Sequence, residues 1–151
     1  MFLYIISIYI RRRTMKVVVI DGQGGSMGKE LVKKLLAVVS PEDLYCVGTN
    51  TAATQNMHKA GCINCATGDN PVAVACRDAD FIIGPIGIVM VDSMLGEITP
   101  SIAQSVSNSR AHKILIPVNR CITVAGVENR PLSDYIDLAV ENLTKQPAYI
   151  K

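Results

Sequence analysis

An α/β fold is what this sequence predicts: one domain built on a doubly wound, mostly parallel sheet. Three observations carry the prediction. A β-branched run, Val17 to Ile20, enters a turn with four glycines in seven residues (Gly22, Gly24, Gly25 and Gly28). An amphipathic segment follows directly, with Met27, Leu31, Leu35 and Leu36 at helical spacing. Strand-like and helix-like segments then alternate to the end of the chain, the pattern of βαβ units with a parallel sheet between helices.

Each element has its local reason. Ser40-Pro41-Glu42 breaks the first helix, and Leu44 to Val47 reads as the second strand, ended by Gly48-Thr49-Asn50. Residues 51–60 read as a short helix, Cys62 to Ala66 as a third strand of small residues, and Thr67-Gly68-Asp69 as a loop. Asn70-Pro71 has the form of an N-cap followed by proline at the first helical position. Phe81 to Ile83 is the fourth strand, ended by Gly84-Pro85; the apolar segment 86–98 is expected to be partly helical. Thr99-Pro100 repeats the cap-and-proline signal and opens a helix to about Ser107. Lys113 to Val118 is a fifth strand and Ile122 to Val127 a sixth. The link between these two is too short for a parallel crossover, so an antiparallel hairpin is expected there. Ser133 is placed to cap a last helix carrying Ile136, Ala139, Val140 and Leu143. The result is a Rossmann-like sheet in the order 3-2-1-4-5-6 with its last strand antiparallel.

The glycine turn carries the functional expectation. Gly22, Gly25 and Gly28 are spaced G-x-x-G-x-x-G. The first can turn tightly off the strand, the middle ones let backbone approach a pyrophosphate, and Gly28 lets helix and strand pack closely. The helix start offers unpaired N–H groups and a partial positive charge, which favour an anion. Asp21 opposes this: a carboxylate about 6 Å from a phosphate costs roughly 3 kcal/mol at an effective dielectric near 20. Its side chain could instead accept the helix N–H bonds itself and leave no room for a ligand. An ATP-binding P-loop is a poor fit, because Gln23 stands where glycine is needed and Glu30 where a hydroxyl is needed.

Ligands of such sheets bind beyond the carboxyl ends of the strands, at the switch point between the first and fourth. The expected contact residues are therefore Gly22, Gln23, Gly24, Gly25, Ser26, Met27 and Gly28, then Thr49, Asn50 and Thr51, then Thr67. Gly84, Pro85, Ile86 and Gly87 follow the fourth strand, and Asn119 the fifth. NAD selectivity would want an acidic residue at the end of the second strand, where Thr49 and Asn50 stand, and NADP selectivity a nearby arginine, which is absent too; Thr49, Asn50 and Thr51 could still hydrogen-bond a ribose or its phosphate, so NADP is favoured over NAD. No catalytic residues are assigned. His58 and His112 are expected on the surface, and none of the five tyrosines begins a Tyr-x-x-x-Lys pair. Asp92, Ser93 and Glu97 follow the fourth strand; Asn119, Ser93 or Glu97 could orient a substrate if an active site were completed at a subunit interface. With a single domain and no evident base, the expectation is a nucleotide-binding sensor or accessory subunit, homo-oligomeric or bound to a partner protein. An interaction module that keeps the fold without the ligand is the third reading.

Composition narrows the field. The net charge is +2, and Arg11, Arg12 and Arg13 supply three positive charges, leaving −1 from Met15 onward. No basic surface is indicated, so nucleic acid is not an expected partner. The first ten residues are apolar but too short to span a bilayer. Their positive charges follow the apolar run, the reverse of a secretory signal. Residues 1–14 are read as an N-terminal extension upstream of the domain at 15–151. Five cysteines and no secretory signal point to a reducing cytoplasm. Cys62-Ile-Asn-Cys65, with His58 four residues before it, offers three metal-binding or redox groups in one segment. With no second such pair and both cysteines expected in a strand, they are read as small buried residues, and no metal is expected.

The phrases MKVVVIDGQGG, VGTN, ADFIIGPIGI, SMLGEITP, KILIPVNRC and PLSDYI together resemble a family of short bacterial proteins, found mainly in anaerobic Gram-positive bacteria and classed as a domain of unknown function. The resemblance runs from Met15 to about Ala139. It implies a Rossmann-like fold and no established activity, so it assigns no catalytic residue. Over about 25 residues the glycine turn is also similar to that of prephenate-dehydrogenase-type domains.

Overall fold

The computed structural model describes residues 14–118 and 121–150. All but one residue of the N-terminal extension at 1–14 therefore lies outside the described residues, as does Asn119. Five strands form one parallel sheet: β1 (Val17–Asp21), β2 (Leu44–Gly48), β3 (Asn64–Thr67), β4 (Phe81–Pro85) and β5 (His112–Ile116). Their spatial order is β3-β2-β1-β4-β5. The helices are α1 (Ser26–Leu35), α2 (Thr51–Lys59), α3 (Asp69–Cys76), α4 (Pro100–Asn108), α5 (Leu132–Thr144) and α6 (Pro147–Ile150). This is the Rossmann-like α/β architecture the alternation of segments predicts.

The period-two alternation of β1 divides the core. Val17 and Val19 face one side, with Met27, Leu31, Val32 and Leu35 of α1, Met57 of α2, and Ile136, Ala139 and Leu143 of α5. Val18 and Ile20 face the other, with Val72 and Ala75 of α3 and Ile102, Ala103 and Val106 of α4. Both faces of the central strand are thus buried, which is why it reads as an unbroken apolar run. The crossover from α2 to α3 changes face, and the switch point falls between β1 and β4.

Three local expectations are corrected. Residues 122–127 form no strand. They follow Pro117 as an irregular segment with a turn at Ala125-Gly126, and Ile122 and Val127 are exposed. An alternating pattern makes a strand only where one face can be buried, and here neither is. The helix expected to be capped by Asn70 starts at Asp69 instead. The last helix starts at Leu132, so Ser133 lies inside it; the N-cap is Pro131 and provides no side-chain bond. The Thr99 cap holds, its Oγ1 accepting from Ile102 N at 3.1 Å. In the segment 86–98 only Ile86–Val89 is helical, as a 3-10 turn.

The amino-end rim of the sheet is closed by its own backbone. Asp80 Oδ2 accepts from Lys16 N at 2.9 Å, Asp80 N donates to the Lys16 carbonyl at 2.9 Å, and His112 N donates to the Asp80 carbonyl at 3.0 Å. Lys16 Nζ also pairs with Asp78. Among the described residues, no helix is long and apolar enough to cross a membrane.

Candidate functional site

The carboxyl rim is the open one. β1 ends in Asp21, and the chain turns through Gly22 to Gly25, closed by a bond from Gly25 N to the Gly22 carbonyl at 3.0 Å. The positive φ expected at Gly22 falls instead on Gln23 (49°) and Gly25 (72°). Gly22 is glycine for space: a Cβ there would lie 2.6 Å from Thr49 Oγ1 and 2.8 Å from Met94 Sδ. Gly28 allows the close packing the sequence predicts, since a Cβ would stand 2.9 Å from Asp21 Cβ.

Two carboxylates occupy much of the donor array. Asp21 is 5% exposed. Its Oδ1 accepts from Gly22 N at 2.8 Å and its Oδ2 from Gly28 N, in the first turn of α1, at 2.6 Å. Burial pushes the Asp21 carboxyl above its ordinary value, the two amide bonds pull the other way, and the charge of Glu97 adds to the rise. Glu97 takes the outer donors. It accepts from Gln23 N at 2.9 Å, from Thr49 Oγ1 at 3.0 Å and from Asn50 Nδ2. Among the described residues nothing accepts from the amides of Ser26 and Met27, the first two of α1.

Glu97 is delivered by the loop after Ile86–Val89. Asp92, Met94 and Leu95 have φ of 65°, 56° and 56°, and Gly96 follows at 91°. Three non-glycine residues in the left-handed region are costly. Bonds from Asp92 N to the Ile98 carbonyl (2.8 Å) and from Ile98 N to the Ser93 carbonyl (3.2 Å) hold the loop shut. The tip, Leu95, is 99% exposed.

A cleft of about 770 Å³ opens over this arrangement. It is lined by Asp21, the whole run Gly22 to Met27, Pro85, Gly87, Met94 and Leu95. The sequence reading therefore brings the glycine turn, Pro85 and Gly87 to one crevice. Thr49 and Asn50 stand at its side, bound to Glu97; Asn50 also caps α2, its Oδ1 accepting from Ala53 N at 2.9 Å. Thr51 is exposed at the start of α2, and Thr67 pairs with Thr54 at 2.6 Å between their hydroxyl oxygens. Gly84 is packed on the sheet, where a Cβ would stand 2.4 Å from the Ile20 carbonyl oxygen, and Ile86 opens the 3-10 turn. Ser93 is engaged, its Oγ donating to the Gly87 carbonyl at 2.5 Å. Sequence reasoning missed Asn129, Arg130 and Tyr135, which also line the cleft. Reading 122–127 as a strand hid them. The polar run Glu128-Asn129-Arg130 before Pro131 was the available sign of a loop returning over the crevice.

Residues 16–148 match the family model described as "Domain of unknown function (DUF3842)". The chain belongs to this family. No curated protein and no solved structure matches the chain. The DUF3842 domain thus spans all five strands and the crevice, from Lys16 before β1 to the start of α6.

Proposed function

We propose that the crevice of this DUF3842 domain receives a phosphate-bearing nucleotide of the NADP or NAD type, and that the chain serves as a sensor or accessory subunit. Gly24 carries the reading. Its φ is not in the left-handed region, and a Cβ there would meet nothing within 4 Å. Neither conformation nor packing demands glycine at this position, yet it lies in the cleft wall beside the open amides of Ser26 and Met27. A ligand pressed against bare backbone is the remaining physical reason. Arg130, also in the lining and paired with Glu128 at 3.3 Å, supplies a positive charge for a phosphate. Thr49 and Asn50 become available to a ribose once the Glu97 carboxylate swings away. A second copy or partner protein is assigned to the flank where Val118, Ile122, Val127 and Leu138 stand exposed.

One observation favours a second reading, an interaction module that keeps the fold without the ligand. Asp21 and Glu97 already satisfy the donors at Gly22, Gln23 and Gly28. Calorimetric titration of the full chain with NADP, NAD and ATP separates the two. The nucleotide reading expects saturable binding that tightens at least about 10-fold in Glu97→Ala, where a competing negative charge is removed. Absence of binding to both the wild type and Glu97→Ala would leave the second reading standing.

A further inference from the structure

Away from the crevice, on the sheet face covered by α1, α2 and α5, three thiols meet. Cys46 lies on β2, Cys65 is its register partner on β3, and Cys62 stands just before β3. Their Sγ atoms all lie within 4.8 Å of one another, and none is in a disulfide. Cys46 and Cys62 are buried, while Cys65 is half-buried and gives the cluster a rim. At that rim stands His58, near the end of α2. Its Nδ1 is 2.9 Å from the Cys62 carbonyl oxygen. A carbonyl can only accept, so the proton sits on Nδ1 and Nε2 keeps its lone pair. A backbone carbonyl fixing one ring nitrogen is the usual support of a metal-binding histidine. The imidazole is exposed, and Cys65 Sγ faces the same Cys62 carbonyl oxygen.

We propose that Cys46, Cys62, Cys65 and His58 form a structural zinc site that clasps the edge strand β3 to β2 and to the end of α2. Three sulfurs and one imidazole nitrogen are a standard closed set for tetrahedral zinc. Bonds of about 2.3 Å to sulfur put thiolates about 3.8 Å apart in such a site, so the three sulfurs contract by about 1 Å at most, while His58, which lies outside their 4.8 Å group, must turn inward to complete the set. In the metal-free thiols, Cys62 Sγ faces the Leu44 and Asn64 carbonyls at 3.6 Å, and Cys65 Sγ faces the Cys62 carbonyl at 3.3 Å. These are long, weak bonds that metal ligation replaces. Binding one Zn²⁺ expels the three thiol protons to solvent and leaves the site with a net charge of −1; no electron is transferred. The location explains the need. β3 is the shortest strand, with four residues, sits at the sheet edge and is only half-buried. It has little apolar burial of its own to hold it.

The test uses the full chain, purified under reducing conditions, loaded with zinc sulfate and desalted against a weak chelator. Elemental analysis is expected to find one zinc per chain in the wild type and none in Cys65→Ser. His58→Ala is expected to bind at least about 10-fold more weakly. Cobalt substitution is expected to give thiolate-to-metal charge transfer and the intense visible bands of a tetrahedral ion. Cys65 and His58 stand at the rim, and circular dichroism checks that their variants fold. A wild-type measurement needs no variant: the melting temperature is expected to rise with zinc and not with magnesium. No retained zinc and no zinc-dependent melting shift in the wild type would overturn the proposal. So would zinc retained undiminished by Cys65→Ser.

Discussion

Asp21 sets the chemistry of the crevice from inside the fold. Burial raises its carboxyl above the ordinary value of about 3.8, so the native state holds the proton more tightly than the unfolded chain does. The stability it contributes is therefore full below about 3.8 and is lost as pH rises towards the raised folded value. Urea midpoints compared between wild type and Asp21→Asn are expected to show the wild type losing relative stability over that rise. The amide substitution also sets an NH₂ against one of two backbone N–H groups, at a cost of about 1–3 kcal/mol at every pH. Two neighbouring glycines of the turn separate folding from the proposed binding. Gly25→Ala meets a positive φ and an Ala53 Cα 2.5 Å from the new Cβ, and is expected to lower stability by at least about 2 kcal/mol in denaturant melts. Gly24→Ala is expected to change stability by less than about 0.5 kcal/mol while weakening nucleotide titration at least about 10-fold. Unchanged affinity in Gly24→Ala would remove the observation on which the nucleotide reading rests.

At the scale of the element, periodicity was a good guide where a face is buried and a poor one where none is. The α1 stripe of Met27, Leu31 and Leu35 is buried as its spacing predicts, and Thr99 caps α4, its hydroxyl accepting from Ile102 N while donating to the Asp69 carboxylate. Ile122 to Val127 alternates like a strand, yet Pro117 ends the β5 ladder by removing a donor, and Val118, Ile122 and Val127 remain exposed. The loop carrying Glu97 was illegible for a different reason. Its shape depends on three left-handed residues held by bonds to Ile98 and Ser93, and no residue type announces such a conformation at Met94 and Leu95. Its delivery of Glu97 to Thr49 and Asn50 is a long-range contact that local spacing does not encode. Helix α5 was legible in both existence and face. Its Leu143 is fully buried, and Leu143→Ala is expected to cost about 2–5 kcal/mol in the midpoint of chemical unfolding. A loss below about 1 kcal/mol would mean that α5 is only loosely docked.

For the whole molecule, the order β3-β2-β1-β4-β5 follows from βαβ handedness and the one change of face among the crossover helices, between α2 and α3. That much the alternation of segments dictated, and with it the place of the crevice. What lines the crevice was set by proximity of high sequence separation: Gln23 with Glu97, and Arg130 in the same cleft as the glycine turn. The two rims of the sheet differ accordingly. At the amino-end rim Asp78→Ala removes a surface ion pair and is expected to cost under about 1 kcal/mol, with nucleotide titration unaltered. Because every strand points the same way, backbone clasps collect at one end of the barrel-less stack and unspent donors at the other. Substitutions near Glu97 or Arg130 can then reshape the crevice while the scaffold beneath continues to fold, so diversification of such a chain needs only one rim to drift.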